Sequence, residues 1–222
     1  SSMSPTIVLK DSDLNYAADI LVNGAFFSTG QKCTACSRAV IERSIYDQLV
    51  EILVAKTKKM KVGNGLEPGI DMGPAVDQGQ LDTDLMYIDI AKKEGAKLLC
   101  GGNRLTGGIY DKGYFIEPTI FGGVVPEMRI AQEEVFGPVL ALMVANDFED
   151  AMRLANSARF GLSASIVTRD ITRVHQYINR IDAGLITVNL PTAGVEYQLP
   201  FGGTKESSFG MREQGPAALD FY

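Results

Sequence analysis

Three loop segments carry residues whose types and spacing could do chemistry. The first is Phe26-Phe27-Ser28-Thr29-Gly30-Gln31-Lys32-Cys33-Thr34-Ala35-Cys36-Ser37-Arg38, where a thiol follows a glycine turn. A cysteine so placed is either a nucleophile, since a thiolate attacks electrophilic carbon, or a small buried apolar residue. Cys33 and Cys36 also form a C-x-x-C pair. Zinc is not expected, because this pair and the single histidine, His175, cannot supply four ligands at familiar spacing. A thioredoxin-like dithiol would open a helix at its first cysteine, whereas the residues after Cys36 read as strand. The second segment, Gln132-Glu133-Glu134-Val135-Phe136-Gly137-Pro138, joins two carboxylates to a turn. It is either a ligand-binding acid or an acidic loop with a structural stop. The third, Leu199-Pro200-Phe201-Gly202-Gly203-Thr204-Lys205-Glu206-Ser207-Ser208-Phe209-Gly210, contains Gly-Gly-Thr-Lys without the spacing of a phosphate loop. Val62-Gly63-Asn64-Gly65 likewise lacks the dinucleotide fingerprint.

The elements that must position these loops alternate in period. Asp11 to Asp13 suit a helix start, and Leu14, Ala17, Ala18, Leu21 and Ala25 then mark one buried helical face. Residues 37–42 read as a strand and 44–61 as a second helix, with Ser44 and Asp47 at capping-box spacing. A Gly/Pro/Asp-rich loop over 63–79 precedes a helix over 80–94 and a strand over 96–100. The apolar run 139–144 is a buried strand. Helices over 148–158 and 171–181 then alternate with strands over 164–168 and 185–189, and Asp170 caps the last helix. Strands separated by helices predict an α/β fold: one domain built on an open, mainly parallel twisted sheet with helices on both faces. Such sheets hold ligands at the carboxyl ends of their strands, so the reactive loops are expected there.

Composition narrows the function. The chain has 222 residues and a net charge of −6, from 21 basic and 27 acidic residues, and carries no basic stripe of the kind that nucleic acid requires. The run Lys56 to Lys61 falls on the polar face of an amphipathic helix. No apolar stretch approaches the ~20 residues needed to cross a bilayer. Three cysteines make no disulfide framework, and no signal-peptide pattern opens the chain, so a reducing, cytoplasmic setting is expected. Ser1-Ser2-Met3 reads as a remnant of cloning before a domain over 4–222.

Taken together and in this order, the three segments resemble the aldehyde dehydrogenase superfamily. Phe26-x-x-x-Gly30-Gln31-x-Cys33 is similar to its active-site cysteine signature, Glu133 to Pro138 to its E-E-[IV]-F-G-P segment, and Pro200-Phe201-Gly202-Gly203-x-Lys205 to its P-F-G-G-x-K segment. Ser4-Pro5-Thr6-Ile7-Val8, Asp71-Met72-Gly73-Pro74 and Tyr114 to Thr119 fit as connecting stretches, so the likeness runs from Ser4 to Tyr222. It implies that Cys33 attacks an aldehyde carbon, its own backbone N–H being one oxyanion donor. Glu134 would hydrogen-bond the nicotinamide ribose of NAD or NADP, and Phe136 would pack near the nicotinamide. Phe27 and Phe201 would line the aldehyde's entry tunnel. Thr187 to Tyr197 and Ser207 to Gly215 look most like the branch that oxidises 2-oxoglutarate semialdehyde, a short aldehyde bearing a carboxylate.

The resemblance also implies missing parts. The family's water-activating glutamate lies in an E-L-G-G-K stretch just before S-P, where Ser1-Ser2-Met3 stands here. The asparagine oxyanion donor and the nucleotide-binding domain lie further upstream. The chain alone is therefore expected to be inactive, to form part of a homo-oligomer when full length, and to self-associate through an apolar face. Cys36 departs from the small residue or threonine usual at its position, so a reversible Cys33–Cys36 disulfide that silences the nucleophile is expected under oxidation. Two readings of other classes stand beside this one: a cysteine hydrolase pairing Cys33 with His175, and a non-catalytic binding module on the same fold.

Overall fold

The computed structural model describes residues 2–222. In chain order the elements are β1 (Ser4–Val8), α1 (Leu14–Phe26), β2 (Cys36–Glu42), α2 (Tyr46–Lys58), α3 (Gln78–Lys93), β3 (Lys97–Cys100), β4 (Thr119–Gly122), α4 (Arg129–Gln132) and β5 (Val139–Ala145). There follow α5 (Phe148–Ala155), β6 (Phe160–Gly161), β7 (Ser163–Val167), α6 (Ile171–Arg180), β8 (Leu185–Val188), β9 (Thr204–Lys205) and α7 (Ala218–Phe221). Seven strands form one sheet in the order β3-β4-β5-β2-β1-β7-β8, parallel throughout except for the β3–β4 pair. β6 and β9 make a separate antiparallel pair.

Burial on both faces explains why the central strands read as unbroken apolar runs. Side chains alternate across each strand. Ile7, Val40, Ala141 and Met143 pack with α3, α5 and α6. Val8, Ala39, Ile41, Leu140 and Leu142 pack with α1 and α2 on the other side. Aspartates cap four of the helices: Asp13, Asp77, Asp147 and Asp170 each accept backbone N–H bonds from the first turn. Asp170 thus caps α6 as its sequence suggests. Ser44 does not cap α2. A 3₁₀ turn over Arg43–Ile45 leads into that helix, whose first turn receives no side-chain cap.

Two strands of the seven-stranded sheet were not legible as strands, nor was the short β6–β9 pair. β1 lies in the middle of the sheet, although Pro5 would interrupt a regular ladder. The register shift between Ser4 and Pro5 places the proline at a bulge, where its missing N–H does least harm. β4 is four residues long, too short to show a period.

Arg38 ties the amino edge of β1 to α5. It is fully buried without a carboxylate partner, and desolvation brings its guanidinium down to about 10. Five hydrogen bonds, to the carbonyls of Met3 (two), Leu154 and Ala155 and to Ser157 Oγ, satisfy the whole fork.

Candidate active site

β5, β2 and β1 are neighbours and run in the same direction, so the segments leading into them arrive side by side at the amino edge of the sheet. The lead to β2 carries Cys33, the lead to β5 carries Glu134, and the lead to β1 carries Ser2. This corrects the expectation of a site at the carboxyl ends. After β2 and β5 the chain passes at once into the 3₁₀ turn before α2 and the Asp147 cap of α5, which leaves no reactive loop there.

The turn before Cys33 is held in an uncommon backbone state. Ser28, Thr29 and Gly30 all lie in the left-handed region, with φ of 59°, 58° and 65°. For the two non-glycine residues this costs about 1–2 kcal/mol each. Anchors from the loop before α3 offset that cost. Thr29 Oγ1 donates to Gly73 O at 3.1 Å, and Val76 N donates to Gln31 Oε1 at 2.9 Å. At Gly30 an added Cβ would overlap the carbonyl oxygen of Gly137. The glycine is there because the cysteine turn lies directly against the Glu133–Pro138 segment.

The two glutamates of that segment have different fates. Glu133 is held by Arg129, with contacts of 2.7–2.9 Å, and by Tyr87 OH at 2.8 Å. The Arg129 hydrogen bonds keep its carboxyl below the usual range. Glu134 accepts Ser2 N at 2.8 Å on Oε1, and among the described residues its Oε2 has no partner. One acid is structural, and the other presents an acceptor.

Cys33 stands between two clefts. A narrow slot of about 20 Å³ is lined by Cys33, Glu134, Phe136 and Ser2. An open cleft of about 440 Å³ is lined by Cys33, Thr34, Gly194, Val195, Phe201 and Gln214. Lys32 lines both. Four of the five expected site residues therefore meet around one exposed thiol. Phe27 does not: it is exposed and lines neither cleft.

The whole of this chain, residues 1–222, matches the model of the aldehyde dehydrogenase family. The chain belongs to the aldehyde dehydrogenase family. It is 50% identical over 219 residues to the alpha-ketoglutaric semialdehyde dehydrogenase of Bacillus subtilis, covering 99% of this chain and 45% of that protein. It is 48% identical over 214 residues to the 2,5-dioxopentanoate dehydrogenase of Saccharolobus solfataricus, covering 96% and 44%. The crystal structure of betaine aldehyde dehydrogenase from Staphylococcus aureus in complex with NAD+ superposes with a TM-score of 0.95 at 35% identity, over 99% of this chain and 43% of that one. The chain spans somewhat less than half the length of the relatives it matches.

Within the family fold, the third sequence segment is held by hydrogen bonds to main chain. Phe201 is fixed by reciprocal N–H to O bonds with Glu213 at 2.6 and 2.9 Å. The phosphate-loop-like Lys205 instead donates to the carbonyls of Asn156 and Ala158, both at 2.9 Å, tying β9 to the end of α5. His175 is exposed on α6 and lines neither cleft, so it cannot serve Cys33 as a base. Lys32 is beside Cys33 by sequence, whereas Gly194, Val195 and Gln214, quoted only within longer stretches, were given no role of their own. No residue type among those three signals a site, and only the fold brings them to the thiol.

The cysteines differ sharply in environment. Cys36 is 2% exposed, with Thr6 Oγ1 at 3.3 Å and Arg38 O at 3.4 Å, and burial pushes its thiol up to about 11. A Cys33–Cys36 disulfide would require Cys36 to leave this packing. Burial also raises the Cys100 thiol. Native protein is therefore expected to take up one iodoacetamide, at Cys33, and the other two only in denaturant. Peptide mapping checks this, and alkylation of Cys36 in folded protein would contradict it.

Proposed function

We propose that this chain is the thiol-bearing half of an NAD(P)-dependent aldehyde dehydrogenase that oxidises a short, carboxylate-bearing aldehyde to the acid. The observation that carries this reading is the position of Cys33, with an acceptor carboxylate and an exposed aromatic ring on one side and an open cleft bordered by Phe201 on the other. Thiolate addition to the aldehyde carbon forms a C–S bond and moves the carbonyl pair onto oxygen, for which the Cys33 backbone N–H would be a donor. Glu134 Oε2 suits the vicinal hydroxyls of a nicotinamide ribose, and Phe136 offers a ring face beside it. When bound, the cofactor accepts the hydride that leaves the tetrahedral carbon. The product on Cys33 is a thioester, and water cleaves it to the acid and the free thiol. NAD is favoured over NADP by the NAD+ held in the Staphylococcus aureus relative.

The substrate follows from the open cleft and the relatives together. Among the described residues, Lys32 is the one cationic side chain that lines it, as a carboxylate would want. The Bacillus subtilis and Saccharolobus solfataricus proteins are named for aldehydes of that kind. We read the domain as 4–222 and the nucleotide-binding region as lying elsewhere in a longer polypeptide that supplies the general base. Large apolar side chains left exposed between Leu190 and Tyr222, among them Tyr197, Leu199 and Phe209, suit burial in a homo-oligomer. Three free cysteines suit the cytoplasm, and no helix among the described residues is long and apolar enough to cross a membrane. The test is an acid quench of the intact enzyme during turnover of 2-oxoglutarate semialdehyde with NAD+, followed by peptide mass spectrometry. An acyl adduct on Cys33 is expected. Turnover with no adduct there, or with one elsewhere, overturns the mechanism.

A further inference from the structure

Behind the two reactive loops lies a carboxyl that neither of them uses. Asp84, on α3, is fully buried. Its Oδ1 accepts from Gln80 Nε2 at 2.8 Å, and its Oδ2 has no partner among the described residues. The same Gln80 Nε2 donates to Val135 O at 2.9 Å, inside the segment that carries Glu134. The carboxyl also lies so close under Gly137 that an added Cβ there would overlap all three of its outer atoms. Gly137 O in turn abuts Gly30 in the cysteine turn. Asp84, Gly137 and Gly30 thus form a stack whose outer member sits three residues before Cys33.

A carboxylate with one neutral donor and one orphaned oxygen, away from water, is costly, while the uncharged acid is tolerable. Charged groups from packed elements do not relieve it. Arg129 of α4 and Glu133 beyond it are spent on each other and on Tyr87. We propose that Asp84 is a positioning residue: as the uncharged acid it fills the space under Gly137 and, through Gln80, fixes the Val135 carbonyl, so that Glu134 and the Cys33 turn keep their places. Its effect on cofactor binding rests on reading Glu134 as the nicotinamide ribose acceptor; its effect on the loop does not.

Desolvation pushes the Asp84 carboxyl up from 3.8 to about 7. A carboxyl raised on folding binds its proton more tightly in the folded state, so its contribution is fully present below the unfolded value and is lost as pH rises through the folded one. The held segment should loosen over that window. The experiment compares intact wild-type enzyme with Asp84→Asn and Asp84→Leu by hydrogen–deuterium exchange of the Glu133–Val139 peptide, corrected for intrinsic rate, at about pH 6 and about pH 8.5. Wild-type protection is expected to fall by about 5-fold or more across that range, and the asparagine variant, which cannot ionise, to stay flat. The leucine variant, without an acceptor at position 84 to hold Gln80 in place, should lose protection at both pH values and raise the KM for NAD by about 10-fold with a smaller effect on kcat, asparagine rescuing it. The same pH dependence in wild type and Asp84→Asn, or wild-type protection in Asp84→Leu, overturns the proposal. Should leucine fail to fold, the asparagine comparison decides alone. The predicted exchange pattern in a protein that never reduces NAD with any aldehyde would leave Asp84 in place and overturn the dehydrogenase reading instead.

Discussion

Replacing Cys33 with serine is expected to lower aldehyde oxidation by the intact enzyme by about 10⁴-fold or more while the protein stays folded. The exchange changes one exposed atom, so packing loses almost nothing. The chemistry loses a great deal. A hydroxyl must give up its proton to become a nucleophile, and among the described residues no base hydrogen-bonds the side chain at position 33. The one histidine lines neither cleft, and Glu134 engages Ser2 N through Oε1 and is read as holding the ribose through Oε2. A thiol reaches its reactive anion without such help, because its unperturbed value lies near 8.5 and not in the range of an alcohol. The second half of the cycle suffers as well, since water expels a thiolate more readily than an alkoxide. Steady-state kcat/KM with a matching melting curve checks the expectation. A serine variant within about 10-fold of wild type would remove the thiol from the mechanism.

How much of this could be read from residues alone depends on the kind of signal. Helices with an aspartate before a period of three and four, such as α1 after Asp13 and α6 after Asp170, show their start in one residue type, because cap and helix are local. The parallel sheet was legible from the alternation of elements. β1 and β4 were not, because Pro5 or brevity hides the pattern, and only pairing with both neighbours makes β1 a strand. The edge on which the site lies was misplaced for a related reason. A general rule about carboxyl ends was applied to loops whose side of the sheet depends on which strand each one precedes, and that is a property of topology.

Within the candidate site, the nearness of Cys33 and Glu134 was legible through motif resemblance, but the different bonding of Glu133 and Glu134 was not. Adjacent residues with identical chemistry separate only when Arg129 and Tyr87 close on one of them. Asp84 left a trace that can be seen in retrospect. It lies three residues after Leu81 and four before Ile88, on the apolar face of α3, where an acid has no business unless something needs it. That trace says buried, and does not say against what.

The stack behind the site makes a sharp prediction about two glycines. Gly137→Ala is expected to destabilise the protein by about 3 kcal/mol, since its Cβ would overlap the Asp84 carboxyl and overpacked cores cost about 1–3 kcal/mol or more. For a domain of this size that corresponds to a melting point lower by about 6–12 °C. Gly30→Ala should be similarly costly, because its Cβ would meet the Gly137 carbonyl and its φ of 65° disfavours any side chain. The two substitutions should part company when Asp84 is shortened. In an Asp84→Ala background the obstacle to an alanine at 137 is gone, so the double variant should be more stable than the sum of the two single effects by about 1–3 kcal/mol. Gly30→Ala meets main chain, which no change at 84 removes, and should show little coupling in the same background. Thermal melts of wild type, the three single variants and the two paired variants supply both cycles. Equal coupling for the two glycines would mean that the Asp84 carboxyl does not bear on Gly137, and that the cysteine turn and the glutamate segment are held in register by some other contact.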